Sequence, residues 1–171
     1  MRKLESQGLI QIFPKRYAQV ATFSEKEIQD IGMIRISLDI LSIKLAAIYG
    51  SKAELLNLKS IAEQCLEAFK NKDGVKRRKL DSDFHEELCR ISKNNLLFNM
   101  QEDLSLKIQF ILMHNDFKSV NDEQHLYQHI QIVDALIEGD IEKALKLDIQ
   151  HLSEFYCLDI DSPIEFFLKN A

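Results

Sequence analysis

The chain predicts an all-α fold, an antiparallel bundle of six to seven helices with a small β-hairpin in front. Three observations carry that reading. Only five glycines and two prolines occur in 171 residues, and they punctuate long segments of 3.6-residue apolar period. Helix-start signals recur where those segments begin. Hydrophobic residues make up 46% of the chain, enough for one domain with a real core.

Met1 to Gln7 reads as the tail of a helix closed by Gly8. Leu9–Phe13 and Tyr17–Ala21 are β-prone runs flanking Pro14-Lys15-Arg16, which predicts a hairpin with a basic tip. Two strands are not stable alone, so the hairpin suggests that residues once preceded Met1. Ser24-Glu25-Lys26-Glu27 is a capping box, in which the hydroxyl serves a free N–H and Glu27 reaches back. It opens a helix ending at Gly50, with Ile28, Ile31, Ile34, Leu38, Leu41, Leu45 and Ile48 as its apolar set. Ser51-Lys52-Ala53-Glu54 repeats the box for a second helix to about Lys70, and residues 71–74 form a turn. A third helix runs from about Val75 to Ile91, and a fourth from about Leu96 to Asn115 after a break at Asn94-Asn95. Asn121-Asp122-Glu123-Gln124 is a third capping box, opening a fifth helix that closes at Gly139. Asp140 caps a sixth from Ile141 to about Leu158, and Ser162-Pro163 starts a short last one.

The net charge of −5 argues against a chain that coats nucleic acid by charge alone. Lys76-Arg77-Arg78-Lys79 then reads as a solvated face. No apolar run is long enough to span a bilayer, and no apolar stretch follows the basic start as in a secretory signal. Cys65, Cys89 and Cys157 are isolated among apolar neighbours, as buried reduced thiols of a cytoplasmic protein would be.

The residues that carry chemistry lie far apart. Asp81 and His85 are four apart and share one helix face, while His129 and His151 can each turn an imidazole inward from a later amphipathic segment. One carboxylate and three imidazoles suit a divalent transition metal such as zinc, nickel or manganese, with positions left open on an octahedral ion. His125 and His129, also four apart, form a rival pair, although His125 is expected to be exposed in the first turn of its helix. His114 suits a helix C-terminus, and Asp83 should be solvated. A metal with open positions can drive hydrolysis, but that needs a placed acid or base. Glu86 and Glu87 turn away from the Asp81/His85 face by about 100° and 200°.

Residues 4–10 followed by Pro14-Lys15-Arg16 resemble the end of the recognition helix and the wing of GntR-type transcription regulators. Ile34-Arg35-Ile36-Ser37-Leu38-Asp39 resembles the opening of their FadR-like ligand-binding domain, usually called FCD. Asp81-x-x-Phe84-His85, Ile91-Ser92-Lys93-Asn94, the run from His129 to Asp140, and Ala144 through His151 match further elements of that domain in order. Tyr17 departs from the pattern, standing where glycine is usual.

The resemblance implies that residues 1–22 are a remnant of the winged-helix domain and that residues 23–171 form an effector-binding and dimerisation domain. It implies a homodimer whose metal is held by Asp81, His85, His129 and His151. A small organic acid would complete the coordination and contact Arg35, with Lys107 and Asn94 as weaker candidates. Operator DNA would be bound only through the missing winged helix. A ligand sensor is thus expected, not an enzyme. The alternatives are a metal-dependent hydrolase on a helical bundle and a metal-free helical dimerisation module.

Overall fold

A computed structural model of the chain describes residues 5, 8–14, 16–114, 123–158 and 163–169. Strands β1 (Ile10–Phe13) and β2 (Tyr17–Val20) are followed by α1 (Glu25–Tyr49), α2 (Lys52–Lys70), α3 (Gly74–Ile91), α4 (Asn95–His114), α5 (Glu123–Glu138), α6 (Ile141–Phe155) and α7 (Pro163–Lys169). The all-α architecture with a leading hairpin is thus the one the sequence predicts. The strands pair antiparallel, Ile10 with Val20 through Phe13 with Tyr17, and the Arg16 N–H closes the turn on the Phe13 carbonyl.

Local chemistry sets the helix ends. Both serine boxes form reciprocally, Ser24 with Glu27 and Ser51 with Glu54. Asp73 accepts from the Lys76 N–H, so α3 begins at Gly74, one residue earlier than its apolar pattern predicts. Asp140 caps α6 through the Lys143 N–H. At the end of α5, Gly139 takes a φ of 79° that a side chain would resist; its N–H bonds Leu136 and the Asp140 N–H bonds Ala135. Helix α6 stops at Phe155, short of the expected Leu158, because Tyr156 leaves the helix and Cys157 turns left-handed. The expected helix tail at residues 1–7 (Glu5 apart), the capping box at Asn121-Asp122, the cap at Ser162 and the side chain of His114 lie outside the described residues.

Helix α2 packs on α3 and α5 through one stripe, Leu55, Leu58, Ala62, Cys65 and Ala68. Helix α1 lies against α3, α4 and α6. Its buried face differs from the apolar set expected of it. Ile28, Ile36, Ile40, Ile43 and Ala46 are buried together with Arg35, Asp39 and Ser42, whereas Ile34, Leu41 and Ile48 stand exposed. The helix is apolar on two sides, so periodicity alone could not say which side faces the core. Gly32 lets α1 approach Tyr156 so closely that a Cβ there would overlap the Tyr156 ring.

Candidate metal centre

Three imidazoles converge from three helices. His85 on α3, His129 on α5 and His151 on α6 are each no more than 1% exposed, and a ligand nitrogen from each lies within 4.8 Å of the other two. Two of them have one nitrogen already tied. His85 Nδ1 is 2.6 Å from an Asp39 carboxylate oxygen, and His151 Nδ1 is 3.1 Å from the Gln128 side-chain carbonyl. Each acceptor calls for a proton on Nδ1 and leaves Nε2 as the nitrogen able to take a cation. His129 has no hydrogen bond to either nitrogen. A fully buried imidazole with both nitrogens unmet is costly unless something else binds it. The donor set therefore fits a divalent transition metal.

Burial also keeps two of the rings, His129 and His151, in their ligating form. It pushes the His129 pKa down to about 3 against the pull of Asp81, with His85 and His125 adding to the fall. His151 is held well below its ordinary value by burial first and then by the neighbouring histidines. A neutral ring is what a metal needs.

The structure divides the four expected ligands. Asp81, 18% exposed at its side chain, has an oxygen 3.9 Å from His129 Nε2, and it falls into a second donor set with His129 and Cys65. Arg35 joins the centre through Asp39: it is 2% exposed, and its Nε lies 3.5 Å from the oxygen that meets His85. The other Asp39 oxygen accepts from Gln101. Lys107 is half-buried on α4, six residues past Gln101 and so rotated from its face by roughly 120°. Asn94 is exposed and spends its side-chain oxygen on the Leu97 N–H at the start of α4. Neither is drawn to the imidazoles by a described contact.

The expectation for His125 is corrected. It is 5% exposed, and its ring stacks on His151 with centroids 3.9 Å apart. The first turn of α5 is covered by the end of α6, with Phe155 on the same ring. Cys157 is exposed, unlike Cys65 and Cys89. Asp83 is half-buried and paired with Lys79. Sequence reasoning also missed Asp39, Gln128 and Asp148. The i,i+4 pair of Arg35 and Asp39 was a usable signal; nothing in the apolar pattern marked Asp148. Both oxygens of that carboxyl are buried without a partner, and it forms a third donor set with Asp39 and His85. Burial, then the Asp39 charge, raises its pKa well above the usual carboxylate range.

The sequence profile of the FCD domain matches residues 30–154, every helix of the centre included. The chain belongs to the FCD domain family. It is 28% identical over 156 residues to the HTH-type transcriptional repressor RspR of Escherichia coli K12, covering 89% of this chain and 68% of that repressor. The HTH-type transcriptional regulator YdhC of Bacillus subtilis is 26% identical, covering 90% of this chain and 69% of its own. Among solved structures, E. coli McbR/YncC has a TM-score of 0.78 at 17% identity, covering 89% of this chain and 77% of that one. A GntR regulator from Rhodococcus sp. RHA1 has 0.75 at 16%, covering 91% and 74%. The helical body thus has the fold of these solved regulators, and among the described residues no helix is long and apolar enough to cross a membrane.

Proposed function

We propose that this FCD domain is the ligand-sensing and dimerisation part of a bacterial transcription regulator, working in the cytoplasm and not as an enzyme. His85, His129 and His151, with Asp81 beside them, hold a divalent transition metal, and a small carboxylate effector closes its coordination. The observation that carries the reading is the imidazole trio: two Nδ1 atoms tied to side-chain oxygens, and a third ring with no hydrogen bond at all. The metal supplies a Lewis acid that holds the effector's oxygen. Arg35, buried next to the Asp39 that braces His85, supplies the cation for the same carboxylate. Lys107 and Asn94 stand outside this assignment because of where α4 places them. Glu86 and Glu87 bond Ser82 and Arg90, which favours a sensor over a hydrolase.

Ile34, Leu41 and Ile48 repeat every seven residues along the outside of α1 and suit pairing with a second copy of the chain. The segment before Ser24 is assigned to the DNA-binding head. Effector binding changes operator affinity to the extent that the effector prefers one arrangement of the pair over another.

The test is elemental analysis of the purified protein before and after EDTA, with a thermal melt on each sample. About one equivalent of transition metal and a melt lowered by EDTA are expected. Small carboxylates should then raise the melt of the metal-loaded protein and not of Arg35→Ala. A melt that neither EDTA nor added zinc moves would leave a metal-free dimerisation module.

A further inference from the structure

Helix α6 buries Ala144, Leu145, Ile149 and Leu152 in the core, and among its buried residues Asp148 is the one acid. It is fully buried, and neither of its carboxyl oxygens has a hydrogen-bond partner. A donor atom from each of Asp39, His85 and Asp148 lies within 4.8 Å of the other two, so the acid stands beside the Asp39–Arg35 pair. Gln101 on α4 gives its amide nitrogen to the same Asp39 and leaves its own buried carbonyl unmet. The Arg35 guanidinium is engaged by Asp39, and the imidazole trio makes no use of Asp148 or Gln101. Three acceptor oxygens from two helices thus gather around Asp39 with no donor to serve them. Buried acceptors of this kind call for a group that brings its own O–H or N–H.

We propose that Asp148 and the Gln101 carbonyl are the specificity-determining pair of the effector site, and that they select a carboxylic acid bearing a hydroxyl group. This rests on the effector reading above and adds to it which acids are admitted. The effector's carboxylate goes to Arg35, and its hydroxyl goes to Asp148 and Gln101. A hydroxyl both donates and accepts, so it suits Asp148 as acid or as carboxylate, and it can donate to an amide carbonyl. An ammonium suits the ionised acid alone, and two buried carboxyls this close to one guanidinium disfavour ionising both. An acid with a plain hydrocarbon chain leaves all three oxygens unmet, which is how a polar site rejects the analogue that lacks a hydroxyl. Asp148 therefore trades stability of the empty domain for discrimination between ligands.

The test is calorimetric titration of the zinc-loaded full chain with matched acids: acetate against glycolate, propanoate against 3-hydroxypropanoate, and succinate against malate. Glycine, β-alanine and aspartate supply the amino counterparts. In wild type, the hydroxy acid of at least one pair is expected to bind about 10–100-fold tighter than its plain partner. That preference should collapse in Asp148→Leu and survive in part in Asp148→Asn, whose amide still donates and accepts. Equal binding within every pair, or a preference that survives Asp148→Leu, overturns the proposal while leaving the effector reading standing. Tighter binding of the amino counterparts overturns the choice of a hydroxyl. Zinc lost from Asp148→Leu overturns it too, by making the acid a metal ligand. No carboxylate bound by zinc-loaded wild type overturns this proposal and the effector reading together. If Asp148→Leu does not fold, Asp148→Ala takes its place.

Discussion

The two flanks of α3 are built from different materials. Where α2 meets α3 and α5, α2 buries Leu55, Leu58, Ala62 and Ala68, with Cys65 as the one side-chain heteroatom among its buried residues. Where α1 meets α3, α4 and α6, the buried set includes Arg35, Asp39, Gln101, Ser105 and Asp148. Several atoms there have no partner: the Gln101 carbonyl, the Ser105 hydroxyl and both Asp148 oxygens. The first flank is what stability alone selects. Unmet polar groups in the second cost about 1–3 kcal/mol each, a cost that a bound group would offset. His85, His129 and His151 stand where the two flanks join.

The sharpest way to break that contrast is His129→Ala. If the junction is a metal centre, the variant should lose more metal affinity than the ~10–100-fold typical of removing an outer-shell partner, and its melt should no longer respond to EDTA. Equilibrium dialysis against zinc measures the first. Unchanged metal content would return His129 to the core.

Acid should separate the flanks next. The folded-state pKa of His129 lies at about 3, below its ordinary 6.5, and that of His151 is lowered in the same direction, both chiefly by burial. In the metal-free protein the unfolded chain therefore takes up these protons first. The stability they contribute is complete above about pH 6.5 and declines as pH falls toward the folded value. Melts of EDTA-treated protein should drop across this window, and His129→Phe should flatten the slope.

Asp39→Asn tests the brace on His85. It keeps the shape and weakens the acceptor, so metal affinity should fall by about 10–100-fold with the fold intact. Isothermal titration with zinc would show it, and an unchanged affinity would leave Asp39 as a partner of Arg35 and Gln101 with no part in metal binding. The smallest change is expected from Asp148→Leu, which replaces an unpartnered buried acid with an apolar side chain of similar size. The empty domain should gain about 1–3 kcal/mol in chemical denaturation. A loss would mean that the acid already has a partner in solution.

The fold was legible because its signals are local. Ser24, Ser51 and Asp140 act within one turn, and Gly139 closes α5 by its own backbone geometry. The order of short motifs from Arg35 to His151 added the family. The site was only half legible. The sequence singled out His85, His129 and His151, which the fold brings together, yet the placing of Asp81 with Cys65 depends on how α2 and α3 cross, which no periodicity reports. His125 was misread because exposure at a helix start depends on what covers it, here Phe155 and His151 from another helix. On α1 the pattern offered two apolar sides, and only the tertiary fold shows that Arg35 and Asp39 lie on the inner one.

The depth of the imidazole trio also governs time. If the trio holds a metal as proposed, rings at 1% exposure or less mean that an incoming ion or acid would be admitted as helices part. Association is then paced by how often the bundle breathes and not by diffusion. Asp81, the least covered donor, is the natural first landing point. Such a domain would report a sustained concentration and filter out a brief one, because entry and exit would pass through the same opening of the bundle.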